Sequence, residues 1–241
     1  MSDNLPSTLP DAGSLTFSTY RDLRGDVLAG RLAPGEKLKI QELAVQAGVS
    51  PGVIREALSR LASERLVIAS PQRGFRVAPI SAEDVHDLTE ARVEIEMACL
   101  KRAISQGDLA WEAGIVAAAH RLNRTPHDHA EPGDDWAQAH AVFHHSLVSA
   151  CDSKWLLTMR EQLYSQAERY RQINIKVSGP ARDLPGEHDR IAAAVLARDV
   201  HRASELMTDH LRLTETLTLK SLALHDGKLT VSKTLLTATP T

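Results

Sequence analysis

Residues 40–67 read IQELAVQAGVSPGVIREALSRLASERLV, two helix-period stretches separated only by AGVS, and few folds accommodate that join. The first stretch stops at Gly48, a helix-ending residue. The second opens with Ser50 as N-cap and Pro51 at the first helical position, where proline's missing N–H is no loss. Two short helices joined this tightly form a helix-turn-helix. Upstream, Tyr20, Leu23, Val27 and Leu28 recur at helical spacing, Gly30 closes that segment, and APGEKL places Pro34 and Gly35 in a turn. Downstream, LVIASPQRGFRVAPI holds two β-rich runs around SPQRG, the pattern of a hairpin or wing.

The other two thirds of the chain read as helix. SAEDVHDLTEARVEIEMACLKRAIS opens with a capping box from Ser81 to Asp84, aspartate standing where glutamate is usual, and runs to Gly107. Further helices are expected at 109–123, 134–151, 153–176, 183–197 and 199–222, broken by RTPHDHAEPGD, CDS and SGPARDLPGEH. Aromatic residues are only 4% of the 241, while Ala and Leu abound, which favours helices over sheets. The expected fold is mainly α: an N-terminal winged helix-turn-helix with a small β-hairpin wing over 15–80, then an all-α bundle over 81–225. Residues 1–14 read as an arm and 226–241 as a tail with no assigned role.

Composition removes several classes. With 43% hydrophobic and 24% charged residues this is an ordinary globular chain. No run of about 18 apolar residues appears, so no membrane span is expected. The N-terminal segment lacks the basic and apolar regions of a signal peptide. Cys99 and Cys151 are far apart in sequence, so no disulfide framework or thiolate cluster is expected, and the cytoplasm is the fitting compartment. Charge is uneven. Residues 15–80 carry ten basic and six acidic side chains, a balance of +4, whereas 81–241 carry 18 and 23, a balance of −5. A basic head on an acidic body suggests nucleic acid as the head's partner.

The stretch RLAPGEKLKIQELAVQAGVSPGVIREALSRLASERLVIASPQRGFRVAPI resembles the winged helix-turn-helix of the GntR family of bacterial transcription regulators. The resemblance implies a homodimer that sets each second helix into the major groove of double-stranded operator DNA and each wing against the minor groove. Chemistry then suggests roles. Ser50 sits at a helix N-terminus suited to phosphate, and Arg55, one turn in, suits a bidentate guanine contact or a phosphate clamp. Arg60 lies on the same helix. Arg73 at the wing tip suits the minor groove, and Lys37 and Lys39 add phosphate attraction. Many relatives carry arginine directly after the N-cap serine, where this chain has Pro51, so their operator sequences do not transfer.

Histidine is the other signal. In HAVFHH, His140 and His144 stand at i and i+4, on one helical face, where two imidazoles can share a metal ion. His145 points about 100° away and is expected to be exposed or outside the ligand set, and His127 and His129 sit in a Pro-rich loop. The bundle is similar to the FCD effector domain that partners the GntR head in the FadR subfamily, through EARVEIE, FHHSLVSACDSKWL and GEHDRIAAAVLARDVHRASELMTDHL. That resemblance implies a metal site made of His140, in the place of the usual Asp, with His144, His188 and His210. Four neutral imidazoles suit Zn²⁺, or alternatively Ni²⁺, better than the hard cations Mn²⁺ and Mg²⁺.

Arg92 lies on a helix face otherwise apolar through Leu88, Ile95 and Cys99, where a guanidinium needs an anion. The resemblance implies a carboxylate effector beside the metal. A simple Arg92–Glu96 helix pair is the alternative. Tyr164, Tyr170, Arg171 and Asn174 on the long helix over 153–176 offer further hydrogen bonds. The expected function is a DNA-binding transcriptional regulator, by default a repressor, controlled by a small organic acid. Two alternatives are a regulator for which the ion itself is the signal and a metal-dependent hydrolase fused to a DNA-binding head. The hydrolase is disfavoured because Ala141, not a glutamate, follows His140.

Overall fold

The computed structural model describes the backbone of residues 12–70, 72–126, 134–174 and 182–236, and the side chains of 15–70, 72–126, 135–170 and 182–224. The chain divides into two compact units, Met1–Ile80 and Ser81–Thr241.

In the first unit, α1 (Ala12–Leu28) and α2 (Ile40–Ala47) pack on α3 (Pro51–Ser63), and a three-stranded antiparallel sheet is ordered β1 (Lys37–Leu38), β3 (Gly74–Val77), β2 (Val67–Ser70). Helix α3 buries Ile54, Ala57, Leu58 and Leu61, the i, i+3, i+4, i+7 stripe of an amphipathic helix, and so turns Arg55, Ser59 and Arg60 outward. Gly48 ends α2 in the left-handed conformation (φ 64°) with its N–H on the Ala44 and Val45 carbonyls. The two strands of the wing fall where the sequence predicts them. The partner strand β1 departs from the sequence reading, because two residues inside a turn segment show no periodicity. Helix α1 starts at Ala12, inside the predicted arm.

The Ser50 cap is formed: its hydroxyl accepts from the Val53 N–H at 3.4 Å. The bond is long, so Ser50→Ala is expected to cost the head about 0.5 kcal/mol, the low end for lost caps. Urea unfolding should show a lower midpoint with an unchanged slope. A variant as stable as the parent would mean that the cap carries nothing.

The second unit holds α4 (Ala82–Gln106), α5 (Leu109–Arg124), α6 (Asp134–Val148), α7 (Lys154–Asn174), α8 (Leu184–Leu196) and α9 (Val200–Leu236). Helix α4 packs on α6, α7 and α9, α5 on α6 and α8, and α8 on α9, around a core that includes Leu100, Ile115, Phe143, Leu147, Ile191, Val195 and Met207. Helix α9 runs to Leu236, well past the expected end at 222. At the start of α4 only half of the capping box forms. Ser81 Oγ accepts from the Asp84 N–H at 3.1 Å, but the Asp84 carboxylate accepts instead from the Tyr170 hydroxyl. Cys99 and Cys151 are free thiols buried in one core, and burial, then the neighbouring Cys151, pushes Cys99 up to about 12. Among the described residues, no helix is long and apolar enough to cross a membrane.

Candidate metal centre and DNA interface

Three helices each replace core apolar residues with histidine. On α6 the buried stripe is Trp136, Ala139, His140, Phe143, His144 and Leu147; on α8 it is His188, Ile191, Ala192 and Val195; on α9 it is Ala203, Met207, His210 and Leu211. Relative exposure is 6% for His140, 1% for His144, 2% for His188 and 6% for His210, which removes the reading of a solvated helical pair. His145 is exposed, as expected, and His127 and His129 lie outside the described residues.

One ligand nitrogen from each of the four lies within 4.8 Å of the others, and the Nε2 atoms of His140 and His144 are 3.1 Å apart. Zn–N bonds of about 2.0–2.1 Å imply tetrahedral N···N edges of roughly 3.3 Å, so the cluster fits one ion after small adjustment. Protonation is disfavoured. Burial, then the neighbouring His140, His210 and His188, hold His144 well below the ordinary imidazole range, and burial also lowers His210. His144 and His210 are therefore held in the neutral form that donates a lone pair. His144 Nδ1 is buried with no hydrogen-bond partner among the described residues, as a group positioned for something other than protein would be.

Neighbours orient the rings. Trp136 stacks on His140 with centroids 4.8 Å apart, and the Tyr164 hydroxyl meets His140 Nδ1 at 3.2 Å. His210 Nδ1 meets Glu187 Oε2 at 2.8 Å, while Arg182 grips both oxygens of Glu187 at 2.9 and 2.7 Å and reaches Thr214 Oγ1 at 3.1 Å. Burial works against the Glu187 carboxylate, yet hydrogen bonds from Arg182 and His210 and their charges bring it down to about 2. Glu187 is thus tied to His210 and is not free to act as a general base. Sequence reasoning missed this role, although a carboxylate one residue before a ligand-type histidine was visible. Glu187→Gln is expected to weaken zinc binding about 10- to 100-fold by loosening His210, measured by competition with a chelator. An unchanged affinity would show that the carboxylate does not tune the site. A cavity of about 280 Å³ is lined by Leu122, Trp136, Leu184, Pro185 and, from the cluster, His188.

Arg92 is nearly buried, and its Nη2 stands 3.6 Å from Glu96 Oε1, beyond hydrogen-bonding range. The stronger partner of Glu96 is Arg160 of α7, whose Nε donates at 3.0 Å. Both guanidinium groups lie over the Tyr164 ring, at 5.6 and 5.1 Å from its centroid. The sequence did not reveal Arg160, since one arginine in WLLTMREQLY looks like a surface charge. Tyr170 is bound to Asp84, so it is no partner for an effector here, and the side chains of Arg171 and Asn174 lie outside the described residues.

In the first unit, Lys37, Arg55 and Arg73 are exposed with no ion pair among the described residues. Lys39 and Arg60 are also exposed but pair with Glu42 at 2.7 Å and Glu56 at 2.9 Å. Gln72 (φ 61°) and Gly74 (φ 80°) flank Arg73 and bend the wing tip sharply.

The fold and these sites describe a winged helix-turn-helix head followed by an all-helical unit with a buried histidine cluster. Family comparison agrees: residues 15–77 match the gntR family of bacterial regulatory proteins and residues 87–213 match the FCD domain. The chain is 39% identical over 213 residues to the HTH-type transcriptional regulator BphR of Paraburkholderia xenovorans LB400, covering 87% of each chain. It is also 39% identical over 198 residues to the HTH-type transcriptional repressor GlaR of Escherichia coli K12, covering 80% of this chain and 90% of that one. The E. coli McbR/YncC structure shares the fold with a TM-score of 0.73 at 22% identity, over 86% of this chain and 98% of that one. The chain therefore belongs to the GntR family of DNA-binding transcriptional regulators, with an FCD effector domain consistent with the FadR subfamily. Its relatives are regulators, not enzymes.

Proposed function

We propose that this chain is a cytoplasmic, homodimeric repressor whose operator affinity is set by a small organic acid bound beside a metal ion in the unit after residue 80. The observation that carries this reading is the group of four buried imidazoles next to two incompletely partnered guanidinium groups. His140, His144, His188 and His210 would hold zinc, or nickel as the second choice, and the ion would supply a Lewis-acidic position for a carboxylate. Arg92 pairs the acid's charge. Tyr164 links His140 to the two arginines and so joins the two halves of the site. Repression follows the naming of the relative GlaR. In the head, Arg55 reads bases, Arg73 enters the minor groove, and Ser50, Lys37, Lys39 and Arg60 serve phosphates.

Effector control requires that the acid favour one arrangement of the dimer over another, and a coupling of about 1–3 kcal/mol suffices. The test is selection of bound fragments from genomic DNA, followed by titration of the complex with a panel of carboxylic acids. Release of DNA by an acid, only in metal-loaded protein, is expected. DNA binding that no acid alters would sink effector control. A second reading has its own support: four protein nitrogens can close a tetrahedral sphere, which would make the ion itself the signal. In that case zinc alone changes DNA affinity.

A further inference from the structure

Apart from the four histidines, the seam between α4 and α9 carries a second group of metal-ligating side chains. His86 and Glu90 stand at i and i+4 on α4, on one face of the helix, and Glu215 comes from α9. One ligand atom from each of the three lies within 4.8 Å of the other two. His86 Nδ1 meets Glu215 Oε1 at 2.7 Å. Arg212, one turn before Glu215, gives both of its Nη atoms to Glu90 instead, at 2.6 and 3.3 Å.

Glu215 is the group that surface ion pairing leaves unexplained. Its side chain is only 9% exposed, yet among the described residues its one hydrogen-bond partner is the exposed His86 imidazole. A carboxylate this far out of water ordinarily takes a full cation or several donors. Here one ring nitrogen meets one of its two oxygens. Arg212 is held by Glu90, and that pair is half-exposed on both sides, so water screens it and it opens at little cost.

We infer that His86, Glu90 and Glu215 form a second divalent-cation site, separate from the four-histidine cluster, that clips α4 to α9. One imidazole and two carboxylates make a harder donor set than four imidazoles, which suits Mn²⁺. Bonds close to the about 2.0–2.2 Å of zinc sites set neighbouring donors roughly 3 Å apart, so the mobile ends of His86 and Glu90 close on the buried Glu215. The ion replaces the proton that His86 Nδ1 shares with Glu215, which leaves to solvent, and it displaces Arg212 from Glu90 into water. Water fills the remaining positions. With three protein ligands at a partly exposed seam, the ion exchanges freely and binds only at concentrations far above those the buried cluster needs. Helices α4 and α9 also carry Arg92 and His210, so the clip fixes the spacing of the two helices that bear them. The inference stands independently of the effector reading.

The test is titration of Mn²⁺ into the full-length protein, followed by loss of the free-ion signal in electron paramagnetic resonance. Two backgrounds are used: zinc-loaded parent dialysed free of excess zinc, and the His144→Ala, His188→Ala variant, each checked for folding by helical circular dichroism. Both should bind one Mn²⁺ per chain with affinities within a factor of about three, as independent sites do. In the zinc-loaded parent, Glu215→Gln and His86→Ala should each weaken binding at least about tenfold, the least that loss of even a supporting residue costs a metal site. Asp87→Asn removes one exposed negative charge beside His86 without touching the ligand set, and at physiological salt it should change binding less than about threefold. No Mn²⁺ uptake in either background, or uptake that survives both ligand variants, would overturn the second site. A loss in Asp87→Asn as large as in Glu215→Gln would also overturn it, by showing diffuse negative charge in place of a ligand set. Uptake in only one of the two backgrounds would tie the ion to the four-histidine cluster and overturn it as well.

Discussion

Alanine at both His144 and His188 is expected to abolish metal binding, leaving purified protein without the near-stoichiometric zinc or nickel expected of the parent. Both side chains are almost fully buried and come from α6 and α8, so the double change removes half the donors from two of the three contributing helices. A structural zinc site contributes about 10–16 kcal/mol of apparent binding energy, and two ligands alone retain little of it. Because the ion binds the folded state, an excess of about 1,000 times its Kd stabilises the parent by about 4 kcal/mol. For a chain of this size that is a rise of roughly 8–16 °C in melting temperature. The variant should show no metal-dependent rise. It should also melt lower without metal, since alanine leaves cavities at both positions. Comparing each protein with and without zinc separates the two effects. Elemental mass spectrometry supplies the stoichiometry. A parent that takes up no metal after incubation with zinc or nickel, or a variant that keeps it, would end the four-histidine site.

The pattern of what the sequence revealed follows from the range of each interaction. Helix α3 was legible because Ser50, Pro51 and the Ile54–Leu61 stripe are local signals that the fold obeys. The pair His140 and His144 was legible for the same reason, as both lie on one helix. His188 and His210 came only through family resemblance, since no local rule says that α8 and α9 deliver them to the same point. Arg160 and its bond to Glu96 span 64 residues of sequence and left no local trace. The half-formed cap at Ser81 shows a local rule overridden: Asp84 is drawn to Tyr170, 86 residues away. The two thiols are likewise distant in sequence and adjacent in the core. Local periodicity specifies the elements, while the chemistry of the site depends on which faces the bundle brings together.

Arg55→Ala is expected to produce the largest loss on the DNA side. Arg55 is exposed one turn into α3, and the two residues before Val53 are Pro51 and Gly52, neither of which has a side chain that reads a base. On the proposed reading, sequence discrimination at this end of the helix falls to Arg55. A bidentate arginine–guanine pair is worth about 1–3 kcal/mol, and a dimer loses it at both half-sites, so operator affinity should fall by about 2–6 kcal/mol, roughly 30-fold to 10⁴-fold. Binding to scrambled DNA should change much less, because phosphate attraction dominates there. Lys37→Ala makes the contrast. It should weaken both DNAs alike and reduce the dependence of log K on log salt by about one unit for each phosphate that is no longer neutralised. Fluorescence anisotropy at three salt concentrations, on operator and scrambled duplexes, measures both. If Arg55→Ala lowers the two affinities equally and shallows the salt dependence, Arg55 is a phosphate clamp. Base reading then passes to Ser59 and the outer face of α3 beyond it, where Arg60 is held by Glu56 only at an exposed surface and can exchange that weak pair for DNA.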